Sequence, residues 1–279
     1  MKRRIKWIAS MLLTANLIVA GSGCNQTTAP SDPGGNDRQA EAPVLPPAEK
    51  LDFAFDFFEL EDIGSEKAEA ARWNFFNARV RLAVIGVITE FVLTPPVLAF
   101  SLALHTVPSP QDDGSYIWVY TWVDGSEEAQ IRLKGTPEYD HVKWELRVSN
   151  TAENITNELW FEGESANDGD SGFWRFHDFN RAGDPVVARI DWLSEGTHEE
   201  LTFTDLDENP GAELAYERRG ERHEVSYTTN AGDEDLFIIW NGDGTGSIEA
   251  ADYNDGEKAC WDTRQEDVDC PVVISETEE

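Results

Sequence analysis

The chain contains few lysine, histidine and cysteine residues and carries little positive charge. Of its 279 residues, 22 are basic and 54 are acidic, which gives a formal net charge of −32 at pH 7. A surface this acidic repels phosphates and anionic headgroups, so nucleic acid and a charged lipid surface are excluded as partners. Five lysines and thirteen arginines follow residue 23. This balance is typical of proteins adapted to high salt, and a cation-binding surface is the alternative.

The sequence contains no complete catalytic or cofactor-binding motif. The five histidines, at positions 105, 141, 177, 198 and 223, lack the spacing of metal ligands. Neither a glycine-rich phosphate loop nor a Gly-x-Ser-x-Gly elbow occurs. Residues 169–172, Gly-Asp-Ser-Gly, match the tetrapeptide around the nucleophile of chymotrypsin-like proteases. The histidine-bearing motif of those enzymes is missing, which favours a hairpin turn here.

Residues 1–24 have the form of an export signal. Four of the first six residues are basic, residues 7–20 form a mainly apolar run, and three small residues precede Cys24. A basic start, a short apolar run and small residues before the cleavage point are typical of a secretory signal peptide. The leader holds four basic residues and no acidic one, so a chain without it would carry −36 instead of −32.

With a cysteine directly after the small residues, the leader resembles that of bacterial lipoproteins. In that family the cysteine becomes the acylated first residue of the mature protein, so the resemblance implies a membrane anchor at Cys24. Asn25 is not the Asp that retains well-studied members at the inner membrane, which implies the outer membrane. Gly21 stands where the family prefers Leu, Val or Ile. An ordinary secreted protein with a free thiol at Cys24 is the alternative.

After residues 1–23, the signal peptide, we expect a flexible tether over residues 24–50 and a helical segment over residues 51–110. The tether is rich in Pro and Gly. Spacings of three and four in the helical segment predict one buried stripe. Pro95-Pro96 are expected to end the helix before a second, short helix over residues 97–104. The predicted stripe consists of Trp73, Phe76, Val80, Val84, Val87 and Phe91.

Residues 82–104 are long enough to suggest a transmembrane helix. The double proline and the single carboxylate of Glu90 favour instead a helix that is buried within its own domain.

Residues 111–279 predict an antiparallel β domain. Short segments of alternating polarity are separated by turn signals about every 8–12 residues. Five Asp-Gly dipeptides, a preferred filling of type I′ hairpin turns, lie in or beside this region. The expected fold is mainly β, an up-and-down meander or barrel of about 10–12 strands packed on the N-terminal helical segment. Most tryptophans are expected in its core, and an exposed platform for sugar rings is the alternative.

Two constellations in the C-terminal part predict specific sites. Cys260 and Cys270 predict a disulfide, because an exported chain meets an oxidising compartment and no histidine accompanies the pair to complete a zinc site. Residues 241–252 resemble the calcium loop of EF-hand and dockerin-type proteins, and a glycine-rich hairpin is the alternative. An acidic turn over residues 205–211 is expected to be solvated. The calcium resemblance implies as ligands Asn241, Asp243, Thr245, Ser247, Glu249 and Asp252.

Together these features predict a lipid-anchored cell-envelope protein with a non-enzymatic binding or structural domain of unknown ligand. A carbohydrate-binding module is the first alternative. A hydrolase is another, and it would need a carboxylate pair with one raised pKa in a concave pocket. A carrier of apolar ligands is a third, and it would need an empty apolar cavity.

Overall fold

A single antiparallel sheet dominates the computed structural model, which describes residues 42–46, 56–58, 71–104, 106–124, 127–231 and 235–271. All of them belong to one unit, Ala42–Glu279. The sheet has fourteen strands in strict sequence order, so every strand pairs only with its neighbours along the chain. Its two edge strands are β1 and β14, which do not pair with each other, so the sheet is open. The predicted up-and-down antiparallel order is confirmed, as an open meander.

The strands are mostly 5 to 12 residues long, and tight turns connect most of them. Their bounds are β1 Ser109–Pro110, β2 Tyr116–Asp124, β3 Glu127–Pro137, β4 His141–Asn150, β5 Ile155–Ala166, β6 Ser171–His177, β7 Val186–Glu195, β8 His198–Asp205, β9 Glu213–Arg219, β10 Arg222–Thr228, β11 Leu236–Asn241, β12 Gly246–Ala250, β13 Ala259–Trp261 and β14 Asp267–Val268. Two 3-10 turns lie at Asp56–Phe58 and Asn254–Gly256.

One helix, α1, runs from Trp73 to Leu104. The expectation that Pro95-Pro96 end it was wrong, because the helix continues through both prolines. Each interior proline costs about 3 kcal/mol of helix stability. Beyond them Ala99, Phe100 and Ala103 are buried in the core. Burying one large side chain stabilises the fold by about 1.5–3 kcal/mol, which offsets part of the cost of the prolines.

Among the described residues, no helix is long and apolar enough to cross a membrane.

The buried face of α1 differs from the predicted stripe. Trp73 is 50% exposed and Val84 59% exposed, whereas Phe75, Leu82 and their neighbours on that side are buried. The helix is apolar on nearly every side, so periodicity did not distinguish the face that packs. The residues that face the core in the first half of α1 are Phe75, Ala78, Leu82 and Ile85. The predicted positions Val87 and Phe91 lie outside the residues whose side chains the structure describes.

The core lies between α1 and one face of the sheet, which we call the inner face. Strand alternation places large side chains there in rows that cross the strands. One such row runs through Trp118, Leu133, Leu146, Phe161 and Phe176, and all five are buried. The opposite, outer face carries mostly charged and polar side chains.

The two halves of α1 contact opposite ends of the sheet. Near the start of α1, Phe75 packs edge-on against Trp261 of β13 with ring centroids 5.7 Å apart. Near its end, Phe100 packs against Trp144 of β4 at 5.4 Å and Trp174 of β6 at 5.1 Å. The helix therefore crosses the inner face and closes over it, as the sequence predicted.

Candidate functional site

The predicted anchor and the predicted disulfide have different outcomes. Cys24 lies outside the described residues, so lipidation stays a prediction. The bond between Cys260 and Cys270 is formed, with Cα atoms 5.1 Å apart. It ties β13 to the chain just after β14, and Asn74 of α1 donates to the carbonyl of Cys260 at 2.8 Å. The disulfide therefore lies where the helix meets the last strands.

The residues of the predicted calcium loop lie along the β11–β12 hairpin. Asn241, Asp243 and Thr245 share the turn, where the Thr245 amide donates to the Asp243 carboxylate at 2.9 Å and Asn241 donates to the Thr245 hydroxyl at 3.0 Å. The amide of Thr245 lowers the pKa of Asp243. Ser247 is buried and Glu249 lies further along β12.

Asp252 lies beyond the far end of β12, away from the turn. It pairs there with Arg81 of α1 at 2.8 Å, and that guanidinium lowers the pKa of Asp252. These residues therefore form the glycine-rich hairpin that the sequence offered as the alternative to a calcium loop. Calcium binding at these residues stays a prediction.

Two other loops have structural explanations. Residues 169–172 lie at the hairpin between β5 and β6, with Ser171 opening β6. In the acidic turn, Asp205 accepts hydrogen bonds from the backbone amides of Asp207 at 2.7 Å and Glu208 at 3.1 Å. That carboxylate organises its own loop.

A charged cluster interrupts the apolar inner face at one rim. Cross-strand pairing aligns Glu199 of β8, Arg218 of β9, His223 of β10 and Trp240 of β11 in one row. Arg218 donates from Nε to Glu199 at 2.9 Å. The imidazole of His223 stacks on Trp240 with centroids 4.9 Å apart, and its Nδ1 lies 3.0 Å from the hydroxyl of Tyr216.

The electrostatics of this rim follow from burial. Burial lowers the pKa of His223, and the nearby guanidinium of Arg218 adds to the effect, so the imidazole is neutral at pH 7. The Glu199 carboxylate in turn raises the pKa of Arg218. The rim therefore consists of an ion pair that is already matched and a neutral imidazole packed on the buried Trp240 ring, an arrangement that suits contact with a polar ligand more than acid–base chemistry.

A second cluster lies on the outer face and was missed by sequence reasoning. His198 and Glu200 of β8 and Glu217 of β9 bring one ligand atom each to within 4.8 Å of one another. The His-x-Glu spacing on a strand, which puts both side chains on one face, was the available signal. The third member depends on the register between β8 and β9, which the sequence does not reveal.

The described carboxyl groups and indoles bear on the enzyme and sugar-platform alternatives. Every resolved shift of a carboxyl pKa in the described residues is downward, because each of these groups accepts hydrogen bonds. A general acid would need the opposite shift. The indoles of β4, β6, β7, β11 and β13 are buried in the core, whereas Trp73 at the start of α1 is 50% exposed and stacks on Phe76. The carboxyl groups with lowered pKa are Asp113, Asp140, Asp243, Asp252 and Asp262.

Comparison of the chain with protein-family models and with curated proteins gives no match.

Proposed function

We propose that this chain is a lipid-anchored protein of the cell envelope whose β domain is a non-enzymatic binding or structural module. The observation that carries the second half of the proposal is the position of α1 on the inner face. Phe75 and Phe100 are both fully buried against the sheet. A carrier or a barrel-type enzyme would use that face for its ligand, and here the chain's own helix covers it.

The first half of the proposal rests on the leader and on the disulfide. The leader ends in Cys24 with the features of a lipoprotein signal, and the Cys260–Cys270 bond is of a kind that persists in oxidising compartments. The surfaces available to a partner include the outer face, the exposed side of α1 and the rim formed by Glu199, Arg218 and His223.

The anchor is tested by metabolic labelling with a radioactive fatty acid in a bacterial host. The wild-type chain should take up label and sediment with membranes, and globomycin should cause its precursor to accumulate. A Cys24→Ala variant should lose the label. Normal maturation of the wild type under globomycin, with no label, would overturn the anchor.

The covered inner face is tested with a dye that fluoresces in apolar cavities. The folded wild type should leave it dark, whereas the Phe100→Ala variant should increase its fluorescence because it removes a ring between Trp144 and Trp174. Bright, saturable dye binding by the folded wild type would favour a carrier instead.

A further inference from the structure

We propose that His198, Glu200 and Glu217 bind a divalent transition-metal ion of the zinc type on the outer face of the sheet. The Nε2 atom of His198 lies 2.9 Å from Oε1 of Glu200 and 3.3 Å from Oε1 of Glu217. Two ligand atoms around one tetrahedral zinc ion lie about 3–3.5 Å apart, because each metal–ligand bond is about 2.0–2.2 Å. The two distances are close to that value before any side chain moves.

The Nε2 atom of His198 lies at ion-pair distance from two carboxylates but has no hydrogen bond among the described residues. Nε2 of His198 is shielded from solvent and makes no hydrogen bond within the described part of the chain, although both carboxylates are close. A buried ring nitrogen without a hydrogen-bond partner is costly, and a metal ion would satisfy it.

The two glutamates are placed against electrostatic preference. Glu200 and Glu217 are directly paired across β8 and β9, and Glu217 is paired in turn with Glu224 on β10. Like charges directly opposite each other destabilise a sheet. Arg222 compensates Glu224 at 2.7 Å, whereas His198 is the only group in the described ion pairs that contacts Glu200. A divalent cation would remove this repulsion.

The donor set selects the class of ion. One imidazole and two carboxylates suit zinc and the neighbouring first-row divalent ions, whereas calcium takes oxygen ligands only. Three protein ligands leave a further position for water or for a partner's side chain. Arg219 donates to Glu217 and would hold that carboxylate in place as an outer partner.

The site is tested by zinc titration of the full chain without an affinity tag. Every protein carries Cys24→Ser, which removes the free thiol that would otherwise bind zinc. The parent should bind one zinc ion per chain. Glu217→Gln and His198→Gln, both near in size to the native residues, should each weaken binding at least about tenfold.

The matched control is His141→Gln, which removes a histidine that has one carboxylate partner, Asp140 at 2.7 Å, instead of two. It should leave zinc affinity unchanged. Cobalt substituted for zinc should give a weak visible band typical of nitrogen and oxygen ligands, and the band should be lost in Glu217→Gln. Equal affinity in all variants, or no saturable binding by the parent, would overturn the proposal.

Discussion

At the scale of single residues, the fold depends on tryptophans that lie over glycines. A Cβ atom at Gly163 would lie 2.6 Å from the Trp174 ring, and one at Gly246 would lie 2.1 Å from the Trp261 ring. The glycines make room for indoles on neighbouring strands, and the rings cover backbone that a glycine leaves bare. The same relation holds for Gly135 with Trp144 and Gly172 with Trp192.

The buried indoles differ in how their N–H groups are satisfied. Trp144 donates to the hydroxyl of Ser165 at 2.9 Å, and Trp261 donates to the carbonyl of Gly244 at 3.0 Å. Nε1 of Trp174 has no hydrogen-bond partner within the described residues. An unmatched buried donor costs about 1–3 kcal/mol.

This difference predicts unequal effects of the same substitution. Trp144→Phe and Trp174→Phe each remove part of a buried ring, but only the first leaves the buried Ser165 hydroxyl without its donor. Trp144→Phe should therefore lower the free energy of unfolding by about 1–3 kcal/mol more than Trp174→Phe. Urea denaturation at pH 7 measures both values. Equal losses would mean that the Trp144–Ser165 bond adds nothing to stability.

At the scale of elements, polar contacts fix the start of α1 on the last strands. The side chain of Asn74 donates to the Cys260 carbonyl at 2.8 Å and accepts from the Tyr253 hydroxyl at 2.5 Å. The backbone N–H of Asn74 donates to the Asp267 carboxylate at 2.9 Å. Arg81 pairs with Asp252, as described above. The helix is thus held by directional bonds in addition to apolar packing.

Asn74→Ala should destabilise the domain by about 1–3 kcal/mol, because it removes two side-chain hydrogen bonds between α1 and the sheet. Asn77→Ala is the matched control, since in the described part of the chain the Asn77 side chain bonds only within the helix, to the carbonyl of Trp73 and to Arg81. Both substitutions replace Asn by Ala within α1, so they raise the intrinsic helix propensity by the same amount. Urea denaturation of the two variants gives the comparison, and a loss in Asn77→Ala as large as that in Asn74→Ala would contradict the role of these contacts.

The sequence was a better guide to strands than to the helix face. The alternation of polar and apolar residues and the turn residues predicted the meander and its connectivity, because both signals are local. The face of α1 was wrong because Trp73 and Val84 are as apolar as the residues that are buried. The continuity of α1 through Pro95 was missed because the packing of Phe100 is a long-range effect.

The candidate sites likewise differ in whether local sequence signals could predict them. The disulfide was predicted because the leader indicates an oxidising compartment and no histidine accompanies Cys260 and Cys270 to form a zinc site. The cluster of His198, Glu200 and Glu217 was missed because it joins two strands whose register is set by the whole sheet. The rim around His223 likewise brings four strands together, and neighbouring positions in the sequence do not indicate it.

At the scale of the whole molecule, net charge opposes the compact state. The chain carries 54 acidic and 22 basic residues, so most carboxylates have no cation of their own to pair with. Surface ion pairs such as those of Arg181 with Asp207 and Lys143 with Glu138 add little to stability, because both partners are exposed to solvent that screens them. Salt weakens these attractions, but it also screens the repulsion among the excess acids. Because the unpaired carboxylates outnumber the ion pairs, the repulsion is the stronger of the two effects.

The stability of the domain should therefore increase with sodium chloride at pH 7. The urea midpoint is expected to rise between about 0.1 M and 1 M salt, over which the screening length falls from about 10 Å to 3 Å. Repeating the measurement near pH 4.3, the isoelectric point of the sequence, provides the control, because net repulsion is then absent and only the ion pairs respond. There the salt effect should vanish or change sign. A rise of the same size at both pH values would show that salt acts through apolar burial, and the acidic surface would then have no part in the response.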